Sequence, residues 1–508
     1  MKTLFITTPI YYVNDRPHIG HAYTTIACDI IAIYNKLKNN DVYFLTGTDE
    51  HGQKVEKAAK KFSEEPQFFT DKMSENFRKL AKFLNCEIND FIRTTELRHK
   101  NAAQSLWKKL LENEQIYLGT YEGWYSIRDE AFYVEKELTK SDGKYFAPSG
   151  AEVEWVKEES YFFKLSKWQG RLLEYYKANP SAIAPKSRYN EVISFIESGL
   201  KDLSISRTTF KWGIPVPNND KHIMYVWLDA LTNYITAIGY PKIKNNLFKK
   251  YWPAIHILGK DILRFHAVYW PAFLMAAKLE PPKRIFAHGW WTNEGKKISK
   301  SDGNIIDPYE IINTYGLDQI RYFLFREVPF GNDGDFSKDS IFSRINADLS
   351  NNLGNLIQRI CSFINKNCQS NVQNIFNLEN VDKELLELSR LKFQSYKNFL
   401  DKQEIDKSIK EVFNIISETN AYVDKQAPWN LKKSNLNRMN VVLSVAVEII
   451  RRTMIMLYPI IPDSTLKVFK ILNIDSDQIN FDNLDKITNS PYKINSSIPI
   501  FPRIEIND

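Results

Sequence analysis

The start of the chain has the pattern of a protein built on a parallel sheet. A short β-rich run, Leu4 to Thr8, is followed by apolar residues that repeat with helical spacing between Ile26 and Leu37. A second β-rich run begins at Val42. A strand, a helix and a strand over this length form a βαβ unit, which joins parallel strands by a crossover. We therefore expect ligands just after each of the two strands, at their carboxyl ends.

Changes in pattern along the 508 residues predict several domains. The α/β pattern is interrupted by a stretch rich in Tyr, Trp, Glu and Lys, then resumes, and finally gives way to long helical patterns. We predict an α/β, Rossmann-like parallel-sheet domain with an inserted α+β module, followed by an all-α helical bundle. The predicted ranges are 1–116 and 206–290 for the halves of the sheet domain, 117–205 for the insertion, 291–340 for a loop and contact region, 341–470 for the bundle and 471–508 for a surface-packed tail.

Composition is that of a globular protein in a reducing compartment. Hydrophobic residues make up 43% and charged residues 25%, and the net charge of +7 permits a polyanionic partner without requiring one. No apolar run is long enough to cross a membrane, and the N-terminus lacks a signal peptide. We expect a cytoplasmic protein with no membrane contact. The four cysteines, which lack the spacing of a disulfide framework or a zinc site, are Cys28, Cys86, Cys361 and Cys368.

The first motif, His18-Ile19-Gly20-His21, lies where the loop after the first strand enters the helix. Free backbone N–H groups and the helix dipole favour phosphate at such a place. The two imidazoles add hydrogen-bond donors, and Gly20 would let a flat base approach the backbone. Taken alone, the tetrapeptide is equally consistent with a capped helix start whose histidines have no role.

The second motif is a loop rich in Ser and Gly that carries Lys297 and Lys300. Two lysines three residues apart can reach a triphosphate and neutralise the charge that develops as pyrophosphate leaves. Taken alone, a Lys- and Ser-rich loop is usually solvated surface.

Together, and in this order, the two motifs resemble the HIGH and KMSKS signatures of the class I aminoacyl-tRNA synthetases, with Ile298 replacing the methionine of the second. Further blocks resemble those of the methionine–tRNA ligases within that class. The resemblance runs from residue 3 to about residue 465. The blocks are Thr7 to Asn14, Gly47 to Gly52, Tyr225 to Ala230, Gly259 to Ile262 with Phe265 and His266, and Ala427 to Trp429.

The resemblance implies an enzyme that activates L-methionine with ATP, whose phosphates carry Mg²⁺, and then loads tRNA(Met). The enzyme mainly orients its reactants and stabilises charge. The implied catalytic residues are His18, His21, Lys297 and Lys300. The implied ATP contacts are these four residues together with Gly20, Gly259 and Asp261.

The resemblance also implies an aromatic and apolar methionine pocket with a single carboxylate, Asp49. A thioether packs well against aromatic rings, and the ammonium group of the substrate needs an anion. Packing in the core is the competing interpretation for each aromatic side chain, most of all for Trp270. The implied pocket residues are Ile10, Tyr12, Asp49, Trp227, Ala230, Tyr234, Ile262, His266 and Trp270.

A row of polar residues in the helical region, Asn351, Asn355 and Arg359, is spaced by four and therefore shares one helix face. The resemblance implies that these residues, with Pro428 and Trp429, read the CAU anticodon. Single-stranded bases are read by edge hydrogen bonds and by stacking on aromatic rings. The competing interpretation is a solvated or capping row of asparagines.

The chain departs from many relatives in the insertion. The cysteine positions of their zinc knuckles correspond to Ser126, Asp129, Phe146 and Ser149, which are poor zinc ligands as a set. We also expect a monomer, since the appended domain that some relatives use to dimerise has no counterpart. Two alternatives to a methionine enzyme stay open: a ligase for isoleucine, valine, leucine or cysteine, and a non-catalytic tRNA-binding paralogue.

The knuckle substitutions predict that the purified protein contains no stoichiometric zinc. Elemental analysis of the protein should therefore find far less than one zinc per chain. A content of about one zinc per chain, as a structural site requires, would refute this prediction.

Overall fold

The computed structural model describes residues 2–129, 131–141, 143–297, 306–372, 375–484, 486, 492–496 and 498–505. The chain forms two compact units. The sheet unit comprises Thr3–Pro17 and Val42–His288. The helical unit comprises Met1–Lys2, His18–Asp41 and Gly289–Asp508. Each unit is discontinuous in sequence, and the predicted domain boundaries do not follow this division.

A seven-stranded sheet forms the centre of the sheet unit. Neighbouring strands in this sheet pair in parallel, as the βαβ pattern predicted. The strands from the two β-rich runs, Thr3–Thr7 and Asp41–Asp49, are neighbours in it. In spatial order the sheet runs Ile183–Ala184, Arg284–His288, Ile255–Gly259, Thr3–Thr7 and Asp41–Asp49, and the last strand also pairs with Tyr11–Tyr12 and Asp90–Arg93.

Most helices of the sheet unit bury apolar faces in one large core, while Gln53–Lys61 and Pro66–Phe83 pack in a separate, smaller cluster. One helix of the large core, Val226–Thr236, has every residue buried, and we name it the pocket helix. A π-helical turn, Phe265–Tyr269, leads directly into the helix Trp270–Ala276. The other helices are Gln53–Lys61, Pro66–Phe83, Leu97–Glu112, Gln169–Ala178, Lys186–Glu197 and Asn246–Tyr251.

The insertion is built on an antiparallel sheet of six strands. Its two long strands, Ile116–Ser126 and Glu152–Phe163, pair over ten residues. The others are Ala131–Tyr133, Thr139–Ser141, Lys144–Phe146 and Leu203–Ser204. A three-stranded sheet of Ser206–Arg207, Asn219–Met224 and Pro215–Val216 follows.

Hydrogen bonds connect the loops that carry the former knuckle positions. Asp129 accepts from the hydroxyls of Ser149 and Tyr133, and its own N–H donates to Ser126 Oγ at 3.1 Å. Arg128 donates to the Ser149 carbonyl at 2.6 Å. A polar network therefore joins these two loops.

The helical unit contains the helix that carries the first motif, Ile19–Leu37, which we name the signature helix. A small sheet of Trp291–Asn293, Lys296–Lys297 and Gly334–Phe336 and a pair of strands, Asn371–Val372 and Tyr492–Lys493, complete its β structure as described. The remaining helices are Pro308–Tyr315, Leu317–Arg326, Lys338–Arg344, Asn355–Asn367, Asn380–Asp401, Ile405–Gln426, Pro428–Ser434, Leu436–Leu457 and Pro462–Ile471.

Residues of the C-terminal segment pack into the helical unit. Ile494 and Phe501 are buried. The side-chain amide of Asn346 exchanges two hydrogen bonds with the backbone of Ile504, at 3.0 and 2.9 Å. Asn346 belongs to a π-helical segment, Ile345–Gly354, so the end of the chain is attached to this irregular turn. Among the residues described, no helix is long and apolar enough to cross a membrane.

Candidate functional site

Three aromatic rings define one wall of a candidate methionine pocket in the sheet unit. Trp227 lies flat against Phe265, with ring centroids 3.8 Å apart and planes 7° apart. The ring of Tyr12 meets Trp227 edge-on, at 6.5 Å and 85°. Such paired rings stabilise one another beyond their burial, so this wall has a fixed shape.

A carboxylate lies beside this wall. Asp49 ends its strand and is directly opposite Tyr12 in the parallel ladder. Its side chain is buried. Ile10 immediately precedes the short strand Tyr11–Tyr12 and is half-buried against the core. The structure therefore brings together Ile10, Tyr12 and Asp49 at the carboxyl edge of the sheet, as predicted for ligands of a parallel sheet.

The imidazole of His266 is held in one protonation state. Its Nδ1 lies 3.0 Å from the Ile262 carbonyl, which can only accept a hydrogen bond, so Nδ1 carries the proton. Nε2 then accepts from the Tyr234 hydroxyl at 2.8 Å. Burial lowers the pKa of His266 to about 4. At neutral pH the pocket side of this residue is therefore uncharged.

The two remaining predicted pocket residues differ in position. Ala230 is buried on the pocket helix one turn beyond Trp227. Trp270 is fully buried, and its ring packs against those of Tyr234 and Trp252 at 6.1 and 6.3 Å. The packing interpretation of Trp270 therefore gains support.

Gly259 and Asp261 occupy the turn after the strand Ile255–Gly259. A Cβ atom added to Gly259 would come within 2.7 Å of Asp261 Oδ1. Asp261 itself is exposed. The absence of a side chain at Gly259 thus lets the carboxylate fold over the strand end, where a ribose hydroxyl could meet it.

At the start of the signature helix, two imidazoles cap the backbone. His18 Nδ1 accepts from the Gly20 N–H at 3.1 Å, and His21 Nδ1 accepts from the His18 N–H at 3.0 Å. An amide N–H can only donate, so the neutral rings both carry their proton on Nε2. Burial, and then the neighbouring His18, lower the pKa of His21 well below its ordinary value.

The backbone amides of this helix start are occupied, which corrects the expectation of free N–H groups. The Ile19 N–H donates to the Ile306 carbonyl at 3.1 Å, and the His21 N–H donates to the His18 carbonyl at 2.9 Å. A Cβ atom at Gly20 would lie 2.9 Å from His18 Cε1. A side chain at Gly20 would therefore require the ring of His18 to shift.

The second motif lies largely outside the described residues. Lys297 ends a short strand whose backbone pairs with Thr292, and its side chain is not described. Lys300 lies in 298–305, also outside the described residues. Ile306 is the first described residue after them, and it is bonded to the signature helix as noted above. Within the helical unit, the residue that follows the second motif is therefore hydrogen-bonded to the first motif.

A cavity of about 200 Å³ lies in the helical unit. We name it the aromatic notch. The guanidinium carbon of Arg359 is 5.5 Å from the ring centroid of Trp429, and Nη2 pairs with Asp424 at 2.5 Å. Ala427 has a left-handed backbone, φ 43°, and Pro428 starts the next helix. The notch is lined by Arg359, Ile360, Phe363, Val423, Pro428 and Trp429.

Two predicted anticodon residues do not line the aromatic notch. Asn351 and Asn355 are exposed. Asn355 begins the α-helix that carries Arg359, but Asn351 lies in the preceding π-helical segment. The four-residue spacing that defines an α-helix face therefore applies fully to Asn355 and Arg359 only.

Sequence reasoning missed two kinds of contributor. Phe265 was noted only as part of a block, although its ring covers a face of Trp227. Phe363 and Val423 complete the aromatic notch. An aromatic residue next to His266 was the available signal for Phe265, whereas two apolar helix residues give no local signal that distinguishes them from core.

Comparison with known proteins identifies the family. A family model described as class I tRNA synthetases (M) matches residues 4–361, and one described as the anticodon binding domain of methionyl tRNA ligase matches residues 376–499. The chain is 56% identical to the methionine–tRNA ligase of Rickettsia felis over 514 residues, covering 99% of both proteins. It is 50% identical to that of Brucella suis, covering 98% of this chain and 97% of the relative.

A solved structure agrees with these relatives. Mycobacterium tuberculosis methionyl-tRNA synthetase in complex with methionyl-adenylate matches with a TM-score of 0.97 and 44% identity, over 99% of this chain and 100% of that chain. The chain therefore belongs to the class I aminoacyl-tRNA synthetases and, within that class, to the methionine–tRNA ligases. The family inferred from the motifs is confirmed.

The lowered pKa of His266 predicts a loss of stability in acid. An unfolded histidine titrates near 6.5, so stability is complete above that pH and is lost as pH falls towards the folded value of about 4. The unmodified chain should lose unfolding free energy between pH 7 and pH 4.5. His266→Gln should lose less over the same interval, by on the order of 2 kcal/mol. Urea unfolding at the two pH values measures both losses.

Tyr234→Phe is the matched control, because it removes the partner of His266 and keeps the imidazole. Its stability should still fall with pH as in the unmodified chain. An unchanged pH dependence in His266→Gln would show that His266 is not the group that titrates.

Proposed function

We propose that this chain activates L-methionine with ATP to form methionyl-adenylate and transfers the methionine to the 3′-terminal adenosine of tRNA(Met). The observation that carries the proposal is the wall of Trp227, Phe265 and Tyr12 beside the buried carboxylate of Asp49. One end of such a pocket suits a thioether, and the other suits an ammonium group.

We assign the methionine side chain to the aromatic wall. A thioether gains from ring contacts and offers only a weak hydrogen-bond acceptor. The neutral state of His266 and its bond to Tyr234 keep charge away from that end. Asp49 takes the ammonium group, and the Ile10 carbonyl is a second acceptor for it. The full set proposed for methionine is Ile10, Tyr12, Asp49, Trp227, Ala230, Tyr234, Ile262, His266 and Trp270.

We assign ATP to the two signatures. The Nε2–H groups of His18 and His21 would donate to phosphate oxygens, and Lys297 and Lys300 would neutralise the leaving pyrophosphate. Gly259 and Asp261 would hold the ribose, whose hydroxyls suit a carboxylate acceptor. The magnesium ion would arrive on the phosphates of ATP, since phosphate oxygens and water are its preferred ligands.

The proposed reaction needs no covalent intermediate between the enzyme and its substrates. The methionine carboxylate attacks the α-phosphorus, a P–O bond forms, and pyrophosphate leaves. In the second step a ribose hydroxyl of the terminal adenosine attacks the acyl carbon, and AMP leaves. The protein contributes orientation and charge stabilisation in both steps.

We propose that the aromatic notch holds an anticodon base. A base stacked on Trp429 would also meet the guanidinium of Arg359, which can donate to a base edge or stack on it. Pro428 and the left-handed Ala427 fix the entry of the helix that carries Trp429. Asn355, one turn before Arg359, and Asn351 would contact neighbouring bases.

We further propose a monomer that acts in the cytoplasm. All four cysteines are free, which fits a reducing compartment.

The division of labour is tested with Trp429→Ala. Losing one stacked base costs roughly 1–3 kcal/mol, so charging of tRNA should fall by about tenfold or more. Methionine-dependent pyrophosphate exchange without tRNA should be nearly unchanged, because different residues bind methionine and ATP. Arg359→Ala should behave likewise and should also weaken discrimination among anticodon variants.

Leu436→Ala is a control in the same helical region. Leu436 is 59% exposed, compared with 41% for Trp429, and it lies outside the aromatic notch. It should leave both activities unchanged. If Trp429→Ala lowers exchange and charging equally and also lowers the melting temperature strongly, Trp429 is a core residue and the anticodon assignment is wrong.

A further inference from the structure

A buried carboxylate lies between two imidazoles behind the proposed methionine pocket. Asp229 Oδ2 is 2.7 Å from His51 Nδ1, and Asp229 Oδ1 is 2.7 Å from His99 Nε2. All three side chains are at most 2% exposed. We name this group the His–Asp–His clamp.

The protons of the clamp follow from its geometry. A carboxylate can only accept, so His51 Nδ1 and His99 Nε2 both carry a proton directed at Asp229. Burial opposes ionisation of Asp229, but the two imidazoles outweigh it and lower its pKa to about 2. Both carboxylate oxygens are thus bonded, which fixes the side chain of Asp229 in one orientation.

The clamp connects the two ends of the proposed pocket. His51 follows Asp49, the proposed ammonium acceptor, by two residues. Asp229 is on the pocket helix, between Trp227 and Ala230. A displacement of Asp229 would therefore move Trp227 relative to Asp49.

The strand side of the clamp is itself held firmly. The Trp212 ring packs edge-on against His51 at 5.5 Å, and its Nε1–H donates to the Glu50 carbonyl at 2.5 Å. The Glu50 carboxylate accepts two hydrogen bonds from Arg93, at 2.7 and 2.9 Å. The segment from Asp49 to His51 is therefore a rigid base, and the clamp transfers its position to the pocket helix.

We propose that Asp229 is a positioning residue for methionine: through His51 it sets the separation of Asp49 and Trp227, and through His99 it fixes the pocket helix against Leu97–Glu112. The proposal rests on the methionine pocket assigned above. Because a thioether is recognised mainly by shape, such a constraint acts on methionine affinity and selectivity and leaves ATP affinity unaffected.

The first test is Asp229→Asn in the full-length protein, assayed by pyrophosphate exchange. An amide keeps the shape but can accept only on one side, so one imidazole N–H loses its acceptor. The KM for methionine should rise by about tenfold, while the KM for ATP stays within about twofold. Discrimination against norleucine should fall as well.

A pair of variants at His51 separates positioning from packing. His51→Asn places an amide N–H near the position of Nδ1–H and should restore a methionine KM within about threefold of normal. His51→Leu fills space without donating and should reproduce the Asp229→Asn effect. The effect of the double variant of Asp229→Asn and His51→Leu should be smaller than the sum of the two single effects, because both changes act on the same three-residue network.

His222→Gln is the matched control. His222 is another buried histidine of the sheet unit that contacts a carboxylate, Glu159 at 3.1 Å, but it lies outside the proposed pocket. It should lower the melting temperature without changing the methionine KM. Should Asp229→Asn fail to fold, the two His51 variants carry the test.

Three results would each overturn the proposal. The first is an unchanged methionine KM in folded Asp229→Asn or His51→Leu. The second is an equal rise in the KM for methionine and for ATP, and the third is a rise of the methionine KM in His222→Gln as large as that in Asp229→Asn. Methionine-dependent pyrophosphate exchange by the unmodified chain is measured in the same experiment. If the unmodified chain shows no such exchange, the proposed function is wrong, and the role of Asp229 is not what failed.

Discussion

The buried guanidinium of Arg321 fastens the signature helix into the helical unit. Its Nη2 lies 2.7 Å from Asp29 Oδ2 and donates to the Pro459 carbonyl at 2.9 Å, and its Nε donates to the Ile460 carbonyl at 3.0 Å. Both charged side chains are buried. Removing one partner of such a pair leaves an uncompensated charge and costs about 3–5 kcal/mol. The position of the histidines of the first signature therefore depends on a contact between residues 292 apart in the chain.

The sheet unit uses its buried charges differently. A methionine side chain offers little to a hydrogen-bonding site, so its recognition depends on rings held in fixed places. Trp227 and Phe265 provide the flat wall, and buried carboxylates bonded to His51 and Arg93 lie near Trp227 and Asp49 in sequence, at Asp229 and Glu50. His266 is kept neutral by burial. The proposed pocket can thus be apolar where we place the thioether, while polar bonds hold the residues around it.

The architecture and family could be predicted from the sequence because both depend on local patterns: strand and helix periodicity, and signatures in a fixed order. What could not be predicted depends on distant partners. The occupied amide of Ile19 requires the carbonyl of Ile306, and the C-terminal segment is bonded through Asn346. The π-helical turn before Asn355 changes the face on which Asn351 lies, and no local spacing distinguishes it from an α-helix. The roles of individual site residues stay predictions.

The central claim is that the pocket of the sheet unit selects methionine. ATP–pyrophosphate exchange without tRNA, run with a panel of amino acids, tests it most directly. Methionine should support exchange with a kcat/KM at least about a hundredfold above isoleucine, leucine, valine or cysteine, the range that shape differences in an apolar pocket can supply. Comparable exchange with one of those amino acids, or exchange with none of the panel, would contradict the account.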